Sequence, residues 1–192
     1  MKTLSLTTAL GGLFLLFSCT APPASPDGDS QYQAFAPDGI PFVVADSAWK
    51  ADLRGNHRAV VEVDDTAFAV RAFLPWRRPD LRPESKKVVV VDARTGEEVQ
   101  NVLVSDFSAE AATVTFEPQS GRGTYYVYYL PYRFRRGWDD ARYGNPWNDY
   151  LPPVYATDSL WALRAATGAA DARVVRFESR SRFAAFTPMG LA

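Results

Sequence analysis

The chain carries one histidine, His57, and one cysteine, Cys19. A serine triad, a zinc centre or an imidazole base would each have to be assembled around that single ring. Nothing flanking His57 fits. There is no G-x-S-x-G elbow, and Gly121-x-Gly123 lacks the third glycine of a dinucleotide loop. His57 therefore reads as a capping or turn residue just before a strand. Metal bound through thiolate or imidazole is excluded on residue supply, and no cofactor is called for.

Carboxylates are plentiful but poorly placed for chemistry. Asp64-Asp65 falls between two strand-like segments, where Asp favours a turn. Glu97-Glu98 follows Gly96 on a hairpin. A glycosidase acid/base pair needs two carboxyls aimed into one cleft, and nothing distinguishes such a pair from solvated loop acids. Asp139, Asp140, Asn145, Asn148 and Asp149 supply oxygen ligands but lack the regular spacing of a calcium loop.

Aromatic density is the most unusual feature. Eleven aromatic residues fall in the 31 positions from Tyr125 to Tyr155. Those of the Tyr125–Tyr132 run are expected to pack in the layers of a sheet. Trp138, Tyr143, Trp147 and Tyr150 lie in a loop with Gly, Asn, Pro and charged residues. Such rings either pin the loop to the rest of the protein or offer a platform on which a sugar stacks its apolar face.

The N-terminus reads as an export signal. Lys2 is followed by an apolar or small stretch, Leu4 to Phe17, too short to span a bilayer. It ends at Leu16-Phe17-Ser18-Cys19, which resembles a lipobox with Cys19 as the lipidation site; Phe17 is bulkier than the pattern prefers. Residues 1–18 are thus expected to be a lipoprotein signal peptide and 19–39 a tether rich in Ala, Pro, Ser, Gly and Asp. A lone cysteine cannot close an internal disulfide. The expected location is the bacterial cell envelope, on the periplasmic or surface side, with the membrane as a partner through the lipid on Cys19. Removing the signal leaves 20 cationic against 22 anionic residues, a net charge of −2. Nucleic-acid binding wants a clustered positive surface and is disfavoured.

The elements that would position these residues are mostly strands. Ala59, Val61 and Val63 share one face of Arg58–Asp64, and Phe68, Val70, Ala72 and Leu74 share one face of Phe68–Leu74. The valine run in Lys87–Asp92 suits a strand covered on both faces. Val99–Ser105, Ala112–Phe116, Thr124–Leu130 and Arg173–Glu178 read as further strands. Asp92-Ala-Arg-Thr-Gly96 looks like a hairpin loop. One helix is predicted, capped by Thr157 or Asp158, with Leu160, Trp161 and Leu163 on its apolar side and Gly168 at its end. The fold class is all-β, an antiparallel β-sandwich over 40–192 with one short helix near the C-terminus.

Several pieces resemble the N-terminal region of glycoside hydrolase family 123-type proteins. They are Gly55-Asn56-His57-Arg58-Ala59-Val60-Val61, Pro75-Trp76-Arg77-Arg78, Pro83-Glu84, Val89-Val90-Val91-Asp92-Ala93, Thr95-Gly96, Gly123 to Tyr132, and Phe183-x-x-Phe186-x-Pro188-Met189. The likeness runs from Phe42 to Met189. It implies a β-sandwich placed before a catalytic (β/α)-barrel that removes β-linked N-acetylgalactosamine or a related N-acetylhexosamine. The implied mechanism is substrate-assisted, with an Asp-Glu pair on the barrel. That pair has no counterpart in this chain, so no catalytic residue is carried over. A barrel needs about 250 residues, so the expectation is a truncated product or a domain-length piece of a longer one.

The leading expectation is a non-catalytic domain that braces an N-acetylhexosaminidase barrel, with Arg77, Arg78 and the loop aromatics facing it. The alternative is a stand-alone glycan-binding lipoprotein using Trp138, Tyr143, Trp147 and Tyr150. An enzyme complete within these residues would need a site that the sequence does not reveal.

Overall fold

Alternation of apolar and polar side chains dictates two-faced strands, and two such sheets close on each other here. The computed structural model describes residues 34–35, 38–76, 78, 80, 82–133 and 149–182. Trp138, Tyr143, Trp147, Arg77 and Cys19 lie outside the described residues, as does the Phe183–Met189 segment.

The strands are β1 Ala34–Phe35, β2 Pro41–Val44, β3 His57–Val63, β4 Val70–Leu74, β5 Val89–Asp92, β6 Val102–Ser105, β7 Ala112–Phe116, β8 Gly123–Tyr128, β9 Tyr132–Arg133, β10 Asp149–Tyr150 and β11 Ala170–Ser179. One α-helix, α1 Ser159–Gly168, precedes β11, and a short 3₁₀ turn covers Pro83–Ser85. The first sheet runs β5-β8-β3-β11, with β2 and then β1 added beyond β11; the second runs β11-β4-β7-β6. Strand β11 belongs to both. Its first residues pair in parallel with β4, Ala170 to Val70, and the rest pairs antiparallel with β3, Arg173 to Glu62 onward. The register shifts between Val174 and Arg176, and a bulge of this kind lets one strand turn from one sheet into another. The parallel pairings of β11 with β4 and β2 join an otherwise antiparallel scheme.

Register explains the core. Val90, Val127, Ala59, Phe177 and Phe42 stand side by side across five strands of the first sheet, and all five are buried. From the second sheet Val70, Ala72, Leu74, Val102, Val114 and Phe116 meet them. The valine run of β5 is covered on both faces: Val88 and Val90 enter this core, while Val89 and Val91 pack beneath Trp49, Tyr126 and Leu151. The Asp92–Gly96 turn forms as expected. Asp92 Oδ1 accepts from the Arg94 N–H at 2.8 Å, and Gly96 takes φ 76°.

Three local expectations change. His57 is not a turn residue; it is the first residue of β3, buried, its ring parallel to that of Tyr129 at 6.1 Å. Phe68 lies outside β4 and is exposed. Helix α1 is capped by Asp158, whose carboxylate accepts from the Trp161 N–H at 2.7 Å, but its buried side is Trp161 and Ala165. Leu160 and Leu163 point to solvent. A helix on a sheet buries positions four apart (here 161 and 165), and positions 160 and 163 fall on the opposite side of the 3.6-residue turn.

Candidate functional site

Two polar regions stand out. One lies at the end of the sandwich where β4 and β8 finish. The chain after β4 turns Trp76 inward, its indole N–H donating to Ser108 O at 3.0 Å. Arg78 follows, its side chain fully enclosed, and grips Asp80 with two bonds of 2.9 Å from Nε and Nη2. Lys86 Nζ reaches the same carboxylate at 2.7 Å. The guanidinium lies 5.0 Å from the Trp76 ring centre and 5.2 Å from that of Phe107. Burial works against the charge on Asp80, but its bonds to Arg78 and Lys86 win, and its pKa is held below the ordinary 3.8. Arg78 Nη1 and the Tyr129 hydroxyl are buried here without a hydrogen-bond partner. Burial pushes the Tyr129 phenol far up, with the Arg78 charge pulling weakly the other way.

Tyr150 stands at the rim of this region. It pairs with Tyr132 in the β9–β10 ribbon, meets the Tyr132 ring edge-on at 6.3 Å, and has Lys86 5.4 Å from its ring centre. It is 45% exposed, so part of its ring faces solvent. Arg78 does not: its guanidinium is enclosed by its own domain, and its polar contacts are internal.

The second region is the outer face of the first sheet, and the sequence reading did not single it out. Register places Val89, Tyr128, Arg58 and Glu178 in one row across β5, β8, β3 and β11. Neighbours in such a row lie about 4.5–5.5 Å apart. Arg58 uses that spacing in both directions: Nε and Nη2 each meet Glu178 Oε2 at 2.6 Å, and Nη1 donates to the Tyr128 hydroxyl at 3.2 Å. Arg176, two residues from Glu178 on the same face, takes its other oxygen at 2.6 Å. The Arg58 guanidinium is sandwiched between the rings of Tyr126 at 3.6 Å and Trp49 at 4.4 Å. Burial opposes its charge, but the bonds to Tyr128 and Glu178 outweigh that and raise its pKa. The signal was available in β8: in Thr-Tyr-Tyr-Val-Tyr-Tyr, Tyr126 and Tyr128 share the face opposite Tyr125 and Val127.

Beside this stack, Trp49 walls a cavity of about 450 Å³ lined also by Lys50, Asp52, Leu53, Arg54, Val89, Val91 and Glu98. The loop Ala51–Gly55 is held tightly. Leu53 N–H donates to Tyr132 O and Gly55 N–H to Ala51 O, both at 2.6 Å. The Trp49 indole N–H donates to Gly55 O at 2.8 Å. At Gly55, φ is 75° and an added Cβ would sit 2.2 Å from Leu130 O, so only glycine fits.

Hydrogen bonds outweigh burial at Asp92 as they do at Asp80, and both carboxyls are held below the ordinary value. Among the described residues no group of three or more His, Cys, Asp or Glu could hold a metal ion. Fold and site define a β-sandwich module with two polar clusters, one around Arg78 and one around Arg58. The chain matches the glycoside hydrolase 123 N-terminal domain over residues 47–180 and belongs to that family. It is a domain associated with glycoside hydrolases, of a kind that accompanies a glycosidase catalytic domain. No curated protein and no solved structure matches it.

Proposed function

We propose that this domain is a non-catalytic brace for an N-acetylhexosaminidase catalytic domain, exported and held at the cell envelope by a lipid on Cys19. The observation that carries the brace is helix α1. It binds its own sheet through Trp161 and Ala165 while leaving Leu160 and Leu163 72% and 73% exposed on the opposite side. Val154, just before the helix, is 70% exposed. Burying one such side chain fully is worth about 1.5–3 kcal/mol, so apolar groups presented this way suit a partner surface.

Sedimentation and apolar-dye binding test it. The chain is expected to self-associate with rising concentration and to bind dye, and the pair Leu160→Ser with Leu163→Ser should reduce both. A monomer that binds no dye at high concentration sinks the brace. Turnover of an aryl N-acetylhexosaminide by the purified chain would overturn its non-catalytic character. Incorporation of labelled palmitate, lost in Cys19→Ser, is the outcome expected for the anchor.

A further inference from the structure

The cavity beside Trp49 has no role in the brace, and its lining combines apolar surface with polar groups of both signs. At about 450 Å³ it falls within the roughly 300–1,000 Å³ of small-ligand sites. Leu53, Val89 and Val91 give it apolar surface. Trp49 is half-buried, with Arg58 over its ring. Its indole N–H is already spent on Gly55 O.

The polar groups are of both signs. Lys50 and Arg54 face Asp52 and Glu98 around the lining, so their formal charges cancel and an anion is not favoured over a neutral molecule. Arg54 spends one nitrogen on Gly96 O at 3.2 Å and keeps further donors. Glu98 takes Lys87 on Oε1 at 2.6 Å and keeps its other oxygen. Donors and acceptors beside an aromatic ring match a pyranose, which carries hydroxyls at its edge and C–H groups on its face.

A peptide added as a strand fits poorly. The free edge of β5 is covered by its own chain: Val91 bridges Glu98, Val99 N–H donates to Val90 O, and Lys87 N–H to Leu151 O. Leu53 adds an independent sign. It is 44% exposed and holds φ 66°, a conformation costly for a leucine. It is one of the residues that line the cavity.

We propose that this cavity is a binding subsite for a neutral saccharide, with Trp49 as stacking platform, Leu53 as apolar wall, and Arg54 and Glu98 as hydroxyl partners. The choice of saccharide rests on the lining, an aromatic residue beside donors and acceptors of both signs, and not on the brace, whose readouts are self-association and dye binding. The test follows amide and indole N–H signals of the whole chain by NMR during titration with chitobiose, lactose and sialyllactose. Chitobiose or lactose should shift the Trp49 indole signal and the backbone of 50–54, with sialyllactose no tighter than lactose. Leu53→Gly suits the positive φ and keeps the fold, so its dispersed spectrum should persist while affinity falls about tenfold. Trp49→Ala should abolish the shifts. Absence of shifts with all three sugars overturns the subsite. So do shifts confined to other residues, preferential binding of the anionic sugar, or unchanged affinity in Leu53→Gly.

Discussion

Arg58 and Arg78 are both buried beside a carboxylate and against aromatic rings, yet only Arg78 leaves a nitrogen buried without a partner. Arg58 sits mid-row in a regular sheet, where strand register delivers Tyr128 on one side and Glu178 on the other. Arg78 sits in the irregular chain after β4, and its carboxylate comes from two residues along the same segment. Regular pairing supplies partners from distant sequence at fixed spacing. An irregular segment supplies what lies next to it. Tyr129, with its own orphaned hydroxyl, ends up in the same compartment as Arg78.

This contrast is breakable, and the largest effect should come from the regular side. Glu178→Ala strips both Arg58 and Arg176 of their shared anion inside a row with little solvent. A loss of about 3–5 kcal/mol is expected by urea unfolding. Loss below about 1 kcal/mol would mean the aromatic sandwich alone suffices for Arg58. At the other end, Arg78→Met should cost less, about 1–2 kcal/mol, because Asp80 keeps Lys86 and is 15% exposed. If it costs as much as Glu178→Ala, the two regions are equally organised.

Asp80 also sets a pH dependence. Its folded pKa lies below the unfolded 3.8. The stability it contributes is complete above the unfolded value and is lost as pH falls through the folded one. The urea midpoint of wild type should therefore exceed that of Asp80→Asn at about pH 7, and the gap should narrow as pH falls below the unfolded value. A constant gap would show that the carboxylate's charge is not what the cluster uses. The smallest effect is expected at Tyr129→Phe. Removing a buried hydroxyl without a partner should leave stability unchanged or raise it by up to about 1 kcal/mol. A loss above that range would reveal that the hydroxyl is hydrogen-bonded in solution.

Much of this was legible along the chain, and the residues show why. The alternation at Ala59, Val61 and Val63, the all-apolar run of β5 and the Asp92–Gly96 turn are local patterns. Each depends on side-chain period or backbone freedom within a few residues, and each appears where the sequence places it. The helix was located by its cap, but the face it buries was not, since Leu160 and Leu163 rank with Trp161 in hydrophobicity. Only the position of Ala69, just before β4, and of Leu103 in β6 chose Trp161 and Ala165.

The sequence by itself determined an all-β domain, the place of most strands, and the family to which it belongs. Tertiary structure alone decided that β11 serves two sheets, that His57 is buried, and that Arg58 lies between Trp49 and Tyr126. The physical reason is range. Period and turn chemistry act over a few residues, whereas Arg58 meets Glu178 across 120 positions, and only strand register brings such residues within a hydrogen bond of each other.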